Sequence, residues 1–98
     1  MTVILKRSNN SKHKFMAVFP DGKIVRFGAK GYSDYTIHKD RARMKRYIVR
    51  HQRGGENWSR SGAKSAGFWS RWLLWSEPNF RHALRKTERI LGQKIIYK

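Results

Sequence analysis

The densest apolar stretch of the chain is Ala66–Trp75, AGFWSRWLLW, in which Phe68, Trp69, Trp72, Leu73, Leu74 and Trp75 are all large and apolar. Read at helical spacing, Phe68, Trp72 and Trp75 fall at i, i+4 and i+7, with Trp69 and Leu73 beside them and Ser70 and Arg71 to the side. The pattern predicts a core helix over about 66–76, ended at Glu77-Pro78 because the residue before proline is pushed out of the α region. Full burial of one such side chain stabilises by roughly 1.5–3 kcal/mol, so the other elements are expected to arrange themselves over this helix. Upstream the pattern alternates instead. Thr2–Leu5, Lys14–Phe19 and Lys23–Gly28 read as strands, separated by the turn signals Asn9-Asn10 and Pro20-Asp21-Gly22. Downstream, Asn79 is placed to cap a helix over about 80–91, with Phe80, Ala83, Leu84, Thr87, Ile90 and Leu91 on its inner side and Gly92 at its end. Lys94–Tyr97 is a last strand candidate, able to add to the sheet edge.

Between these regions the periodic residues are basic. Ser33 or Asp34 can cap a helix start, Asp40 is a second candidate, and Gly54-Gly55 is a stop, which predicts a helix over about 40–52. On it Lys39, Arg43, Arg46, Arg50 and Arg53 fall within an arc of roughly 80° at helical spacing. Met44, Tyr47, Ile48 and His51 occupy another face, suited to packing on the sheet or the tryptophan helix, and Arg41 and Lys45 flank it. Gly54–Lys64 reads as a long ordered loop anchored by Trp58, with Ser61 or Ser65 available to cap the next helix. Together these elements predict an α+β fold over residues 1–98, a small antiparallel sheet of three to four strands packed against about three helices.

Length and composition constrain this picture further. Ninety-eight residues form one domain. Lys and Arg total 23 against 6 Asp and Glu, a net charge of +17, and a 13% aromatic content argues against a disordered basic tail. Self-repulsion at this charge points to a polyanion or an acidic protein surface as the working partner. There is no cysteine, so disulfides and thiolate metal sites are excluded. The apolar run at residues 1–5 is too short for a signal-peptide core and no segment approaches a membrane span, so the chain is read as soluble and not secreted.

Motifs for catalysis are absent. The carboxylates Asp21, Asp34, Asp40, Glu56, Glu77 and Glu88 are dispersed, whereas a two-metal nuclease needs clustered acids. His13, His38, His51 and His82 match no zinc spacing, Gly28–Gly31 lacks the P-loop pattern, and the serines form no GxSxG elbow. No enzyme, cofactor or metal is expected. The basic stripe is the stronger signal, because solvated helices ordinarily interleave both signs and this one does not. Arg43, Arg46, Arg50 and Arg53 suit phosphate oxygens through their guanidinium forks, and Lys39 and Lys45 add charge. Arg60 and Lys64 in SRSGAK bring two further cations near backbone N–H groups. The tryptophan helix reads as core, but Phe15, Phe27, Tyr32 and Tyr35 form a fallback site where bases could stack.

The runs GYSDYTIHKDRARMKRYIVRHQ and ENWSRSGAKSAGFWSRWLLWSEP resemble a family of small basic proteins encoded by large double-stranded DNA viruses of eukaryotes, chlorovirus-like viruses among them. The resemblance covers roughly Lys23–Phe80 and rests on D-Y-T-x-H-x-D before the basic helix, paired with S-G-x-x-x-A-G-F-W-S-R-W-L-L-W. It carries no catalytic residue. What it implies is a virion component, found in the particle and in the host nucleus or cytoplasm during infection. Three partners are then expected, in descending order. The first is double-stranded DNA bound through its phosphates without sequence preference. The second is an acidic face of neighbouring capsid subunits, with the chain as a minor capsid protein and the strands Thr2–Leu5 and Lys94–Tyr97 as its unpaired edges. The third is an anionic internal membrane. A small nuclease whose acids converge only in the fold is the enzymatic alternative.

Overall fold

A computed structural model describes residues Met1–Lys98. The strands are β1 (Thr2–Arg7), β2 (His13–Val18), β3 (Ile24–Ala29) and β4 (Lys94–Tyr97). The helices are α1 (Tyr35–His38), α2 (Arg41–Arg53), α3 (Ala66–Trp69), which continues as a π-helical turn over Ser70–Leu74, and α4 (Phe80–Leu91). A 3-10 turn at Arg60–Gly62 precedes α3. The fold is α+β, as the patterning predicts, and no helix is long and apolar enough to cross a membrane.

β1, β2 and β3 form the expected antiparallel meander, closed at both turns by local side-chain bonds. Asn10 Oδ1 accepts from the backbone of Lys12 and His13. Asp21 Oδ1 accepts from Lys23 N, while Gly22 takes φ +91°, the conformation that glycine supplies without steric cost. β4 departs from the antiparallel expectation. It pairs parallel to β1, in register Val3 with Ile95 and Leu5 with Tyr97, giving the order β3-β2-β1-β4. Parallel pairing needs a crossover, and α4 returns the chain for it. The two strands expected as unpaired edges therefore pair with each other, and β1 lies inside the sheet.

Strand alternation assigns one face to the helices. Val3, Leu5, Phe15, Ala17, Val25, Phe27 and Ile95 point into a core completed by Phe68, Trp69, Leu73, Leu74 and Leu91. The opposite face carries Ile96, Ile4, Val18 and Ile24 in one register row across all four strands, outside that core.

The tryptophan block behaves differently from an ideal helix. Its buried residues are Phe68, Trp69, Leu73 and Leu74, while Trp72 and Trp75 are only partly covered. The cause is the π turn, closed by the i→i+5 bond from Trp75 N to Ser70 O at 3.0 Å. A wider turn brings residues five apart into line, so Trp69 sits above Leu74 and Phe68 above Leu73. Trp72 and Trp75 pack on the margin of the core, each partly exposed. Trp72 Nε1 donates to Trp58 O at 2.8 Å and Arg71 lies over both the Trp58 and Trp72 rings, which anchors the Gly54–Lys64 loop through Trp58. Burial pushes the Arg71 guanidinium below its ordinary value. Ser65 and Asn79 cap α3 and α4 as their positions predict.

Candidate nucleic-acid interface

Helix α2 begins after two breaks. Asp34 caps α1, and Lys39 then takes a left-handed conformation, φ +56°, that ends it after one turn. Asp40 restarts the chain by accepting from Ala42 N at 3.0 Å and Arg43 N at 3.2 Å, so both predicted caps are used. Only Tyr47 of α2 is buried. Its ring is held between His51, 4.0 Å away, and Trp75, 4.4 Å away and 3° from parallel. The partly uncovered Trp75 is thus the seat of α2. Anchored by one aromatic stack, the helix leaves most of its circumference in solvent.

Every charged residue of that exposed surface is basic. The α2 sequence RARMKRYIVRHQR contains no carboxylate. Lys45, Arg46, Arg50 and Arg53 flank Val49 along an outward groove, and all four are exposed. None of them, nor Arg43, forms an ion pair, because every carboxylate of the chain is engaged elsewhere. Asp21 pairs with Lys64 and Asp34 with Lys14 at 2.6 Å. Asp40 caps α2. Glu56 accepts from His51 Nδ1 at 2.7 Å and Trp58 Nε1 at 2.9 Å. Glu77 pairs with Lys86, and Glu88 accepts from Ile95 N at 2.8 Å. Lys64 beside it holds the Asp21 carboxyl below its usual value. No three His, Asp or Glu side chains converge as a metal-binding group would.

The other predicted cations are placed differently. Lys39 lies before α2 and its ammonium donates to the carbonyls of Thr36 and Pro78. Arg60 Nε donates to Ile90 O at 3.1 Å, and its guanidinium covers Gly92 at the end of α4. Lys64 lies over the Phe19 ring, 5.4 Å from its centroid. Arg60 and Lys64 share a shallow depression with Leu91 and Gln93, apart from the α2 groove. The eight candidates thus divide into five on α2 and three tethered to other elements. A second basic row was also present in the sequence pattern: Arg81, Arg85 and Arg89 stand at i, i+4 and i+8 on the exposed side of α4, where inner-face periodicity draws attention away from them.

Beside α2 lies a cleft of about 330 Å³, bordered by Arg43, Tyr47 and Arg50 on one side and by β3, the Tyr32–Asp34 loop and the π turn on the others. Of the four aromatics in the fallback stacking site, Phe15, Phe27 and Tyr35 are buried and only Tyr32, 73% exposed, is available. Tyr47 is 4% exposed and its hydroxyl, although beside Ser70, has no hydrogen-bond partner of acceptable geometry. Burial raises that phenol far above its ordinary value, so it remains a protonated donor.

Residues 3–51 match the Family of unknown function (DUF5754). That span is half of the chain and runs from β1 through nearly all of α2, and the chain belongs to this family. Neither the curated proteins nor the solved structures contain a match to it.

Proposed function

We propose, for this member of a family of unknown function, that α2 binds the phosphate backbone of double-stranded DNA without reading its sequence. The observation that carries this reading is the exposed helix with Arg43, Lys45, Arg46, Arg50 and Arg53 and no carboxylate near enough to pair with any of them. Phosphate contacts supply affinity and position but no base discrimination. Nothing on the outward groove is suited to base edges in preference to phosphates. The ten-residue span from Arg43 to Arg53 is about 15 Å of helix, comparable with about four phosphate steps at 3.4 Å per step of one strand. The resemblance of the basic helix and tryptophan block to small proteins of large DNA viruses supports a virion setting, with the protein packaged beside the genome.

The test is equilibrium binding to a random-sequence duplex across a salt series. Five phosphate contacts give a log–log slope of about −4.5, at about −0.9 per contact. The variant Lys45→Ala/Arg46→Ala/Arg53→Ala should flatten it by about 2.7. A slope that is already shallow, or one indifferent to the variant, refutes the reading.

A second reading, a minor capsid protein on acidic faces of neighbouring subunits, is favoured by the outer sheet face. There Ile24 and Ile96 remain 39% and 37% exposed at the two ends of the aliphatic row. Basic Lys6 and Arg26 stand in the adjacent register row with Met16. Loss of capsid incorporation on Ile4→Lys, with duplex binding intact, would favour that face as the working surface.

A further inference from the structure

We infer that the cleft beside α2 receives one unpaired nucleotide of the bound strand, its phosphate between Arg43 and Arg50 and its base against Tyr32. The protein then prefers DNA with frayed or single-stranded ends to continuous duplex. This rests on the DNA reading above, shares Arg43 and Arg50 with it, and adds a base position that the duplex itself does not fill.

Four observations converge. First, Arg43 and Arg50 border the cleft and neither is paired. The acid nearest the cleft, Asp34, is neutralised by Lys14 at 2.6 Å and accepts a hydrogen bond from Thr36 N at 3.0 Å. The site is therefore cationic in sum, with guanidinium forks suited to a phosphate. Second, Tyr32 lies on the loop after β3 with its ring mostly in solvent and no aromatic neighbour within the molecule. An unstacked aromatic at the rim of a basic groove is how sequence-tolerant single-strand binders hold a base. Third, the Tyr47 hydroxyl is buried at the cleft with only Ser70 beside it and no hydrogen bond of good geometry. Buried polar groups are nearly always satisfied, and a ligand oxygen or ring nitrogen would satisfy this one. Fourth, the π turn contributes Ser70 and Leu74 to the cleft, and such turns occur frequently at functional sites.

Size and continuity narrow the ligand. A volume of about 330 Å³ stands at the lower end of small-ligand sites, room for one nucleotide and not for a dinucleotide. Arg50 lines both the cleft and the outward groove of α2. A strand whose backbone follows the groove can therefore turn its last nucleotide into the cleft without leaving the arginines.

The experiment compares three DNAs at one salt concentration: a blunt duplex, the same duplex with a short single-stranded overhang, and that overhang built from abasic sugars with equal phosphates. The overhang should be bound about tenfold more tightly than the blunt duplex, and the abasic overhang should lose most of that gain. Tyr32→Ala should abolish the preference and Tyr32→Phe retain it. Tyr47→Phe should raise the thermal midpoint of the free protein, by removing an unsatisfied hydroxyl, while lowering the overhang preference.

Equal affinity for blunt and overhang DNA overturns the proposal. So does a preference that survives Tyr32→Ala, or a midpoint that falls with Tyr47→Phe. Saturable binding of dAMP alone, without an overhang preference, overturns the strand-end reading in favour of a free nucleotide. The two readings fail separately. Blunt-duplex binding that depends on Lys45, Arg46 and Arg53 without overhang preference removes the cleft proposal alone. Overhang binding through Tyr32 without blunt-duplex binding removes the helix reading alone.

Discussion

Truncating Trp75 to alanine should release α2 from the body of the protein. Tyr47 is the only buried residue of α2, and Trp75 stacks on it at 4.4 Å. Trp75 also covers His38 at 5.3 Å. A large aromatic buries about 150–250 Å², and Trp75 is mostly covered, so the lost burial costs at least about 2–3 kcal/mol. The lost stacking adds about 1 kcal/mol. A total near 3 kcal/mol lowers the midpoint of a domain of this size by roughly 12–24 °C, at about 4–8 °C per kcal/mol. Trp75→Phe, which retains a stacking ring, should lose less than half as much. Circular dichroism melts give the global change, and amide hydrogen exchange gives the local one. Exchange at α2 should accelerate far more than exchange at α4, whose inner residues Ala83, Thr87 and Leu91 stay buried in the core. A midpoint drop under about 5 °C with α2 protection unchanged would refute the claim that one stack seats the helix.

Asp34→Asn keeps the cap geometry on α1 but leaves the Lys14 ammonium, whose side chain is 13% exposed, without its counter-charge. Urea denaturation should show a loss of about 3–5 kcal/mol, largely restored by pairing the change with Lys14→Met. Gly28 has φ +76°, and a Cβ there would stand 2.9 Å from Leu74 Cδ1. Gly28→Ala should therefore cost about 1–3 kcal/mol in the same assay. Burial first, and the charge of Arg43 second, lower the His38 pKa from its ordinary 6.5. The unfolded chain then takes up a proton before the folded one does, so stability is full above pH 6.5 and declines as pH falls below it. Denaturation midpoints taken between about pH 7 and 5 should fall for the parent chain and stay flatter for His38→Gln.

Elements that depend on near neighbours are legible in the sequence. The alternation of Phe15 and Ala17, and of Val25 and Phe27, orients β2 and β3. Asp40, Ser65 and Asn79 cap the helices that follow them. The α2 stripe is legible too, because helical spacing alone puts its arginines together. Three features are not. The i→i+5 closure at Ser70–Trp75 moves the buried face of the tryptophan block, and a reading at 100° per residue assumes that no such turn exists. The parallel pairing of β4 with β1 depends on where α4 delivers the chain. Lys39, Arg60 and Lys64 resemble free cations in the sequence because their partners, Pro78, Ile90 and Asp21, are about 30 or more positions away. The cleft follows the same rule, since it draws on β3, α2 and the π turn at once.

The placement of the six carboxylates connects these points. Each one caps a helix, pairs with a cation or, as with Glu56 and Glu88, accepts from a group on a neighbouring segment, and all of them lie outside α2. An α2 with one Glu four residues before an Arg would gain a few tenths of a kcal/mol from the pair. Instead Arg43, Arg46, Arg50 and Arg53 stand three and four apart, where like charges repel by similar amounts. The helix is therefore less stable alone than its length allows. Its attachment rests on the Tyr47–Trp75 stack and the His51–Glu56 contact, not on its arginines. A polyanion laid along the stripe removes the repulsion, and any ligand that binds the folded helix better than the frayed one stabilises it in proportion to its affinity. Folding of α2 and binding of the anion are then one linked equilibrium. The same carboxylate-free face that costs stability in the free protein would couple the fraying of α2 to any polyanion bound along it.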